Sequence, residues 1–121
     1  MKVDRCVREV RNELELLDEL LSSHLILIKK VQNNTPDQIE LSAAAALLHS
    51  FYNGIENIFK RIAIRIDGTL SSSDYWHHEL LKQMRDSHRK RKAVISDSLF
   101  GGFKAVSWVQ AFFPECIFFS N

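Results

Sequence analysis

Val3, Val7, Val10, Leu14, Leu17, Leu21, His24, Ile28 and Val31 follow one another in steps of four and three. No other feature of the chain restricts its fold as much. Such steps gather all nine side chains on one face of an α-helix, so the spacing predicts a helix of about 30 residues. Leu16, Leu20, Leu25 and Ile26 widen the stripe, so more than one neighbour must pack on it.

The neighbours are helices too. Asn33 and Asn34 favour a turn after the first helix. Thr35 is a suitable N-cap, Pro36 suits a first helical position and Asp37 favours the helix dipole. A second helix is expected from about Pro36 to Ile66, stopped by Asp67-Gly68. Ala43 to Ala46 lack bulk and allow close approach, and Gly54, mid-helix, points to a packing contact. After the Ser71-Ser72-Ser73 linker, a third helix is expected over about Ser73 to His88, with Trp76, Leu80, Leu81 and Met84 as its apolar positions. Arg85 to Lys92 reads as a polar, basic connection. A fourth helix should start near Ser96, without a capping box because Leu99 stands three residues on, and should end at Pro114. No strand pattern competes. The fold class expected is all-α, an antiparallel bundle of four to five helices.

At 121 residues the chain is expected to form one domain over residues 1–121, large enough to bury a core. A net charge of +1 argues neither for nor against nucleic acid. Cys6 and Cys116 do not make a disulfide framework, which points to a reducing cytoplasm. The first residues have no apolar core of the signal-peptide kind, and no run approaches the roughly 18 apolar residues that span a bilayer, so no membrane is expected.

The segment LLHSFYNGIENIFKRIAIRI, residues 47–66, mixes His49, Tyr52, Asn53, Gly54 and Glu56 with Ile55, Ile58, Phe59, Ile62 and Ile66. With the following DGTLSSSDYWHHELLKQM, it resembles the HEPN domains of the HepT-like family. The resemblance runs from roughly residue 5 to residue 100. It implies a HEPN-like bundle, a homodimer, and a metal-independent ribonuclease toxin that needs no cofactor. It also implies a nucleotidyltransferase-type antitoxin as partner, one that adenylylates a tyrosine near the ribonuclease motif.

That motif is Arg, four to six residues, then His, on a late helix. The chemistry needs both groups. A His titrates near neutrality and can move the 2′-hydroxyl proton, while a fixed Arg stabilises the charged phosphorane. None of Arg5, Arg8, Arg11, Arg61, Arg65, Arg85, Arg89 and Arg91 has a His five to seven positions on. After Lys104 the chain reads AVSWVQAFFPECIFFSN, with no Arg, Lys, His or Tyr. Residues 101–121 therefore read as a divergent tail with no catalytic residue. Codons for KAVSWVQAFFPECIFF can be chosen so that deleting one base after the Lys codon gives KQYLGFRHSFRNVYSF, a string that resembles the family's late helix. The tail is thus read as frame-shifted and the chain as a degenerate, inactive member. Even the restored string has Asn where the final His would stand. The alternative is a non-catalytic subunit that binds a nucleotidyltransferase or presents its substrate.

Three further features carry expectations. His49 and Tyr52 form a candidate polar site on a helix face, although a lone helical His is more often structural. His24, in the apolar seam, reads as a partnered interior or interface side chain. Trp76-His77-His78-Glu79 invites a metal reading, but adjacent His side chains diverge on a helix and no third ligand falls at helical spacing, so no metal is expected. The sharper candidate is the run Arg85, His88, Arg89, Lys90, Arg91 and Lys92, which could contact phosphate in RNA or in a partner's nucleotide, a weak expectation since charge runs are usually solvated. An enzyme using Arg85 and His88 is a remote third reading. Phe112, Phe113, Phe118 and Phe119 are candidates for an exposed apolar patch, and residues beyond Lys104 are expected to be weakly protected.

Overall fold

The computed structural model describes the backbone of residues 2–112 and the side chains of residues 3–105. Within them the chain forms α1 (Lys2–Ser23), α2 (Leu25–Asn33), α3 (Gln38–Ile62), a π-helical turn (Ala63–Asp67), α4 (Trp76–Arg85) and α5 (Asp97–Phe112). These five helices pack together, and the described residues include no strand. The chain is an all-α bundle.

The long seam helix breaks once. His24 leaves the helical conformation at φ −114° and ψ 18°. Its Nδ1 lies 2.8 Å from the Leu20 carbonyl oxygen, so the side chain takes a hydrogen bond otherwise made by backbone. His24 is half-buried and partnered locally rather than across the bundle. The second helix begins later than expected. Asp37, not Thr35, is the N-cap: its Oδ1 accepts from Glu40 N at 2.7 Å and Glu40 Oε1 accepts from Asp37 N at 3.1 Å. This reciprocal pair satisfies two orphan donors at the start of the helix.

The α3 end falls as expected. Gly68, at φ +79°, takes the left-handed conformation that closes a helix with no Cβ penalty. The last five residues before it widen into the π-turn, so Asp67 swings towards α4. The third helix is shorter than the expected span, because residues 86–92 turn back through a His88–Arg91 bridge. Ser96 caps α5, its Oγ accepting from Leu99 N at 3.1 Å. Helix α5 continues through Gly101 and Gly102. The expected stop at Pro114, the aromatics Phe113, Phe118 and Phe119, and the weak protection expected of residues 113–121 lie outside the described residues, as does the side chain of Phe112.

Helices α1 and α2 both run antiparallel to α3: Cys6 and Glu9 of α1 meet Arg61, Leu17 meets Gly54, and Lys30 of α2 meets Glu40. Helix α4 runs in the same sense as α3, with His77 beside Glu56 and Gln83 beside Asp67. The segment 68–75 carries the chain back between them. The core gathers Leu17, Ile58, Phe59, Ala63, Leu80, Leu81, Met84 and Ile95. Phe103, inside the span read as tail, packs edge-on against Tyr52 and Phe59, with ring centroids at 6.3 and 5.8 Å.

Gly54 is explained by α1. A Cβ built there would overlap the Leu17 side chain and stand 3.1 Å from Leu17 Cγ. Gly54→Ala should therefore miss the gain of roughly 1 kcal/mol that alanine brings to an open helical position. In urea unfolding, Gly54→Ala in a Leu17→Ala background should recover that gain. Additive effects of the two substitutions would show that the contact does not limit the site.

Candidate functional site

Two polar centres stand out, one on each end of α4. The first is built by helical spacing. His49, Asn53 and Glu56 fall at i, i+4 and i+7 of α3, hence on one face. His49 and Glu56 are the buried polar side chains of the described core, and Tyr52 is buried beside them. Asn53 Nδ2 lies 3.3 Å from His49 Nε2; an amide nitrogen donates, so Nε2 accepts and Nδ1 carries the proton. Among the described residues, that Nδ1 is buried without a partner. Phe103 closes the Tyr52 end of the face.

Glu56 is only 6% exposed, and α4 supplies its partner. His77 Nδ1 lies 2.6 Å from Glu56 Oε2. An ionised carboxylate only accepts, so the contact assigns the proton to Nδ1 and leaves Nε2 as the free nitrogen of a half-exposed ring. The imidazole stacks on Trp76 at 3.5 Å, and Lys60 Nζ stands 4.3 Å from the Trp76 ring centroid. A His held by a buried carboxylate can move a proton. Among the described residues, no group of three His, Cys, Asp or Glu converges to hold a metal ion.

The second centre is Asp67. Its side chain is fully buried and grips Arg91 with both oxygens: Arg91 Nε donates to Oδ1 at 2.8 Å and Nη2 to Oδ2 at 2.6 Å. Gln83 Nε2 donates to Oδ2 at 2.7 Å. The remaining Arg91 protons go to the carbonyls of Gln83, Asp86 and Lys92, each at 3.1 Å, so all five of its donors are engaged. Burial opposes ionisation of Asp67. The Arg91 and Gln83 hydrogen bonds, with the nearby charges of Arg91 and His88, outweigh it and hold the carboxyl below its usual range. The clasp pins the 86–96 connection to the end of α3, helped by Val94 N donating to Met84 O at 2.8 Å.

The basic run therefore separates in space. Arg91 is committed to Asp67. Arg85 lays its guanidinium over the Phe100 ring at 4.4 Å. His88 Nδ1 accepts from Lys90 N at 3.3 Å and stands 3.8 Å from Asp67 Oδ1. Arg89, Lys90 and Lys92 stay exposed. Sequence reasoning weighed His77 only as a metal ligand and read Asp67 only as a helix end. Their partners stand 21 and 24 residues away, beyond the reach of helical periodicity.

A five-helix bundle with a buried polar line on its long third helix is the class of protein these features define. A family model described as HepT-like protein matches residues 43–107, more than half of the chain and the whole of that polar line. The chain belongs to the HepT-like family. Neither a curated protein nor a solved structure matches it. No helix among the described residues is long and apolar enough to cross a membrane.

Proposed function

We propose that this chain is a HepT-like protein of the cytoplasm that does not cleave RNA, a degenerate member of the ribonuclease toxins of toxin–antitoxin modules. The observation that carries the reading is that no Arg in the sequence is followed by His at five to seven positions. The spatial arrangement supports it. Arg91 is engaged by Asp67 and Arg85 by Phe100, so neither is a free cation beside a histidine. The departure after Lys104, with the matched span ending at residue 107, supports a changed late helix.

The role left to such a chain is binding, with a nucleotidyltransferase-type antitoxin as its partner. The exposed Arg89, Lys90 and Lys92 would meet that partner's nucleotide phosphates.

The test is turnover of a mixed RNA pool by the purified chain, with and without a divalent metal. No cleavage above buffer is expected. Cleavage that persists through purification and disappears in His77→Ala would overturn the reading and assign proton transfer to the Glu56–His77 pair. Loss in Arg85→Ala or His88→Ala would overturn it in favour of those two residues. Sequencing the gene around codon 104 tests the frame, where a base deletion that restores KQYLGFRHSFRNVYSF in the alternative frame is the expected result.

A further inference from the structure

A groove of about 450 Å³ opens along the first half of α1. Val3, Val7 and Leu14 line it from that helix, Ile62 and Ile66 from the junction of α3 with the π-turn, and Val94 from the 86–96 connection. From Val3 to Leu14 the helix rises roughly 16 Å, at about 1.5 Å per residue. Val7 and Leu14 are 47% and 52% exposed, so the bundle leaves this apolar wall open to solvent. The volume lies within the range of small-ligand pockets, roughly 300–1,000 Å³.

The charges around the groove are of one sign. Arg11, Arg91 and Lys92 line it, and among the described residues no Asp or Glu does. Composition does not account for this, since the chain carries 15 acidic side chains against 16 Lys and Arg. Arg91 is spent on Asp67. Arg11 and Lys92 are exposed, and neither stands in an ion pair with a described residue. The groove therefore matches a ligand with an apolar body and one anionic end. Valine, leucine and isoleucine side chains neither donate nor accept, so polar atoms along that body would go unsatisfied. An unbranched alkyl chain has none.

We infer that the groove binds the monomeric anion of a long-chain carboxylic acid, its alkyl chain lying along Val3, Val7 and Leu14 and its carboxylate held by Arg11 and Lys92. A guanidinium and an ammonium each give a carboxylate a charge-assisted hydrogen bond. Burial of the chain supplies the affinity, and the two cations select the head group. Lys92 also belongs to the surface read as meeting a partner's phosphates, but the apolar wall does not. Binding that depends on Val7 is thus separate from that reading and from RNA cleavage, and neither experiment's failure bears on the other.

The test is calorimetric titration of the full chain with sodium dodecanoate below its micelle-forming concentration, where one dodecanoate per chain is expected. Each methylene added between octanoate and dodecanoate should tighten binding about two- to fourfold, as burial of a methylene does. Dodecyltrimethylammonium, with the same chain and the opposite head, should bind at least tenfold more weakly, on the order expected for reversing a charge. Val7→Gln should remove most of the chain-length dependence with unchanged far-ultraviolet circular dichroism, since residue 7 is half exposed. Arg11→Glu with Lys92→Glu should weaken dodecanoate about tenfold. Lys29→Glu, the same charge change on α2 and away from the groove, should leave the affinity as it is. No binding, several dodecanoates per chain, or equal affinity for the two head groups overturns the inference. So does a Val7→Gln chain that keeps the full chain-length dependence, or a double charge reversal with no more effect than Lys29→Glu. Binding to phosphatidylglycerol vesicles without binding of the monomeric anion overturns it in favour of a membrane contact.

Discussion

Asp67→Ala lowers stability by about 3–5 kcal/mol in urea unfolding, the cost of leaving a buried ion without its partner. The reason is the count of donors. Arg91 places all five on fixed oxygens, two of them Asp67's, with its side chain only 11% exposed. Removing the carboxylate strands the guanidinium where water has little access. Asp67→Leu with Arg91→Met should cost much less than the sum of the single changes, because it removes both charges. Asp67→Ala costing under about 1 kcal/mol would show that the guanidinium finds water.

The same clasp predicts an acid response. Arg91 and Gln83 hold the Asp67 carboxyl below its ordinary value against the opposing effect of burial. A carboxyl that binds its proton less readily when folded stabilises the fold fully above the ordinary carboxylate range. That contribution disappears as pH falls through the lowered folded value. Glu9 behaves alike: burial opposes ionisation, but hydrogen bonds and charges from Arg61 and Arg65 keep its carboxyl low. Stability of the native chain should therefore fall on acidification below the usual carboxylate range. Arg91→Met should flatten that fall without abolishing it, since Glu9 remains. An unchanged slope in urea midpoints against pH would remove Asp67 from the acid response.

Met84→Ala costs about 2–5 kcal/mol, the range for emptying a core site. Met84 is fully buried and Leu80 is 1% exposed, one turn earlier on the same face of α4. Together they fill the space between α3 and the returning connection, which ends in the buried Ile95. Met84→Leu, which keeps most of the volume, should cost under about 1.5 kcal/mol. The contrast separates packing from local helix effects, because leucine and alanine are both good helix formers. Similar losses for the two variants would mean that the shape of the side chain, rather than the volume it fills, sets the cost.

Much of the fold is written in short-range spacing. The seam on α1, the apolar positions Leu80, Leu81 and Met84, the Ser96 cap and the stop at Gly68 all depend on residues within about two helical turns of each other. The Asp37–Glu40 capping box is equally local, while Thr35-Pro36, two residues earlier, carries a competing start signal that the structure does not use. The break at His24 was harder to see, because its ring takes a carbonyl that any seam residue would leave to the backbone.

The candidate sites divide along the same line. His49 and Tyr52 were visible as polar insertions in an apolar face, and both are buried there. The basic run was visible as charge, but its division into the engaged Arg85 and Arg91 and the exposed Arg89, Lys90 and Lys92 was not. Periodicity states which residues share a helix face and says nothing about which face meets which. The sequence by itself determined the helices and the side of each that is apolar. Only the tertiary structure decided that His77 meets Glu56 and that Arg91 meets Asp67. Those pairings depend on the π-turn that swings Asp67 towards α4 and on the segment that returns the chain beside α3, where elements distant in sequence are brought within hydrogen-bonding distance.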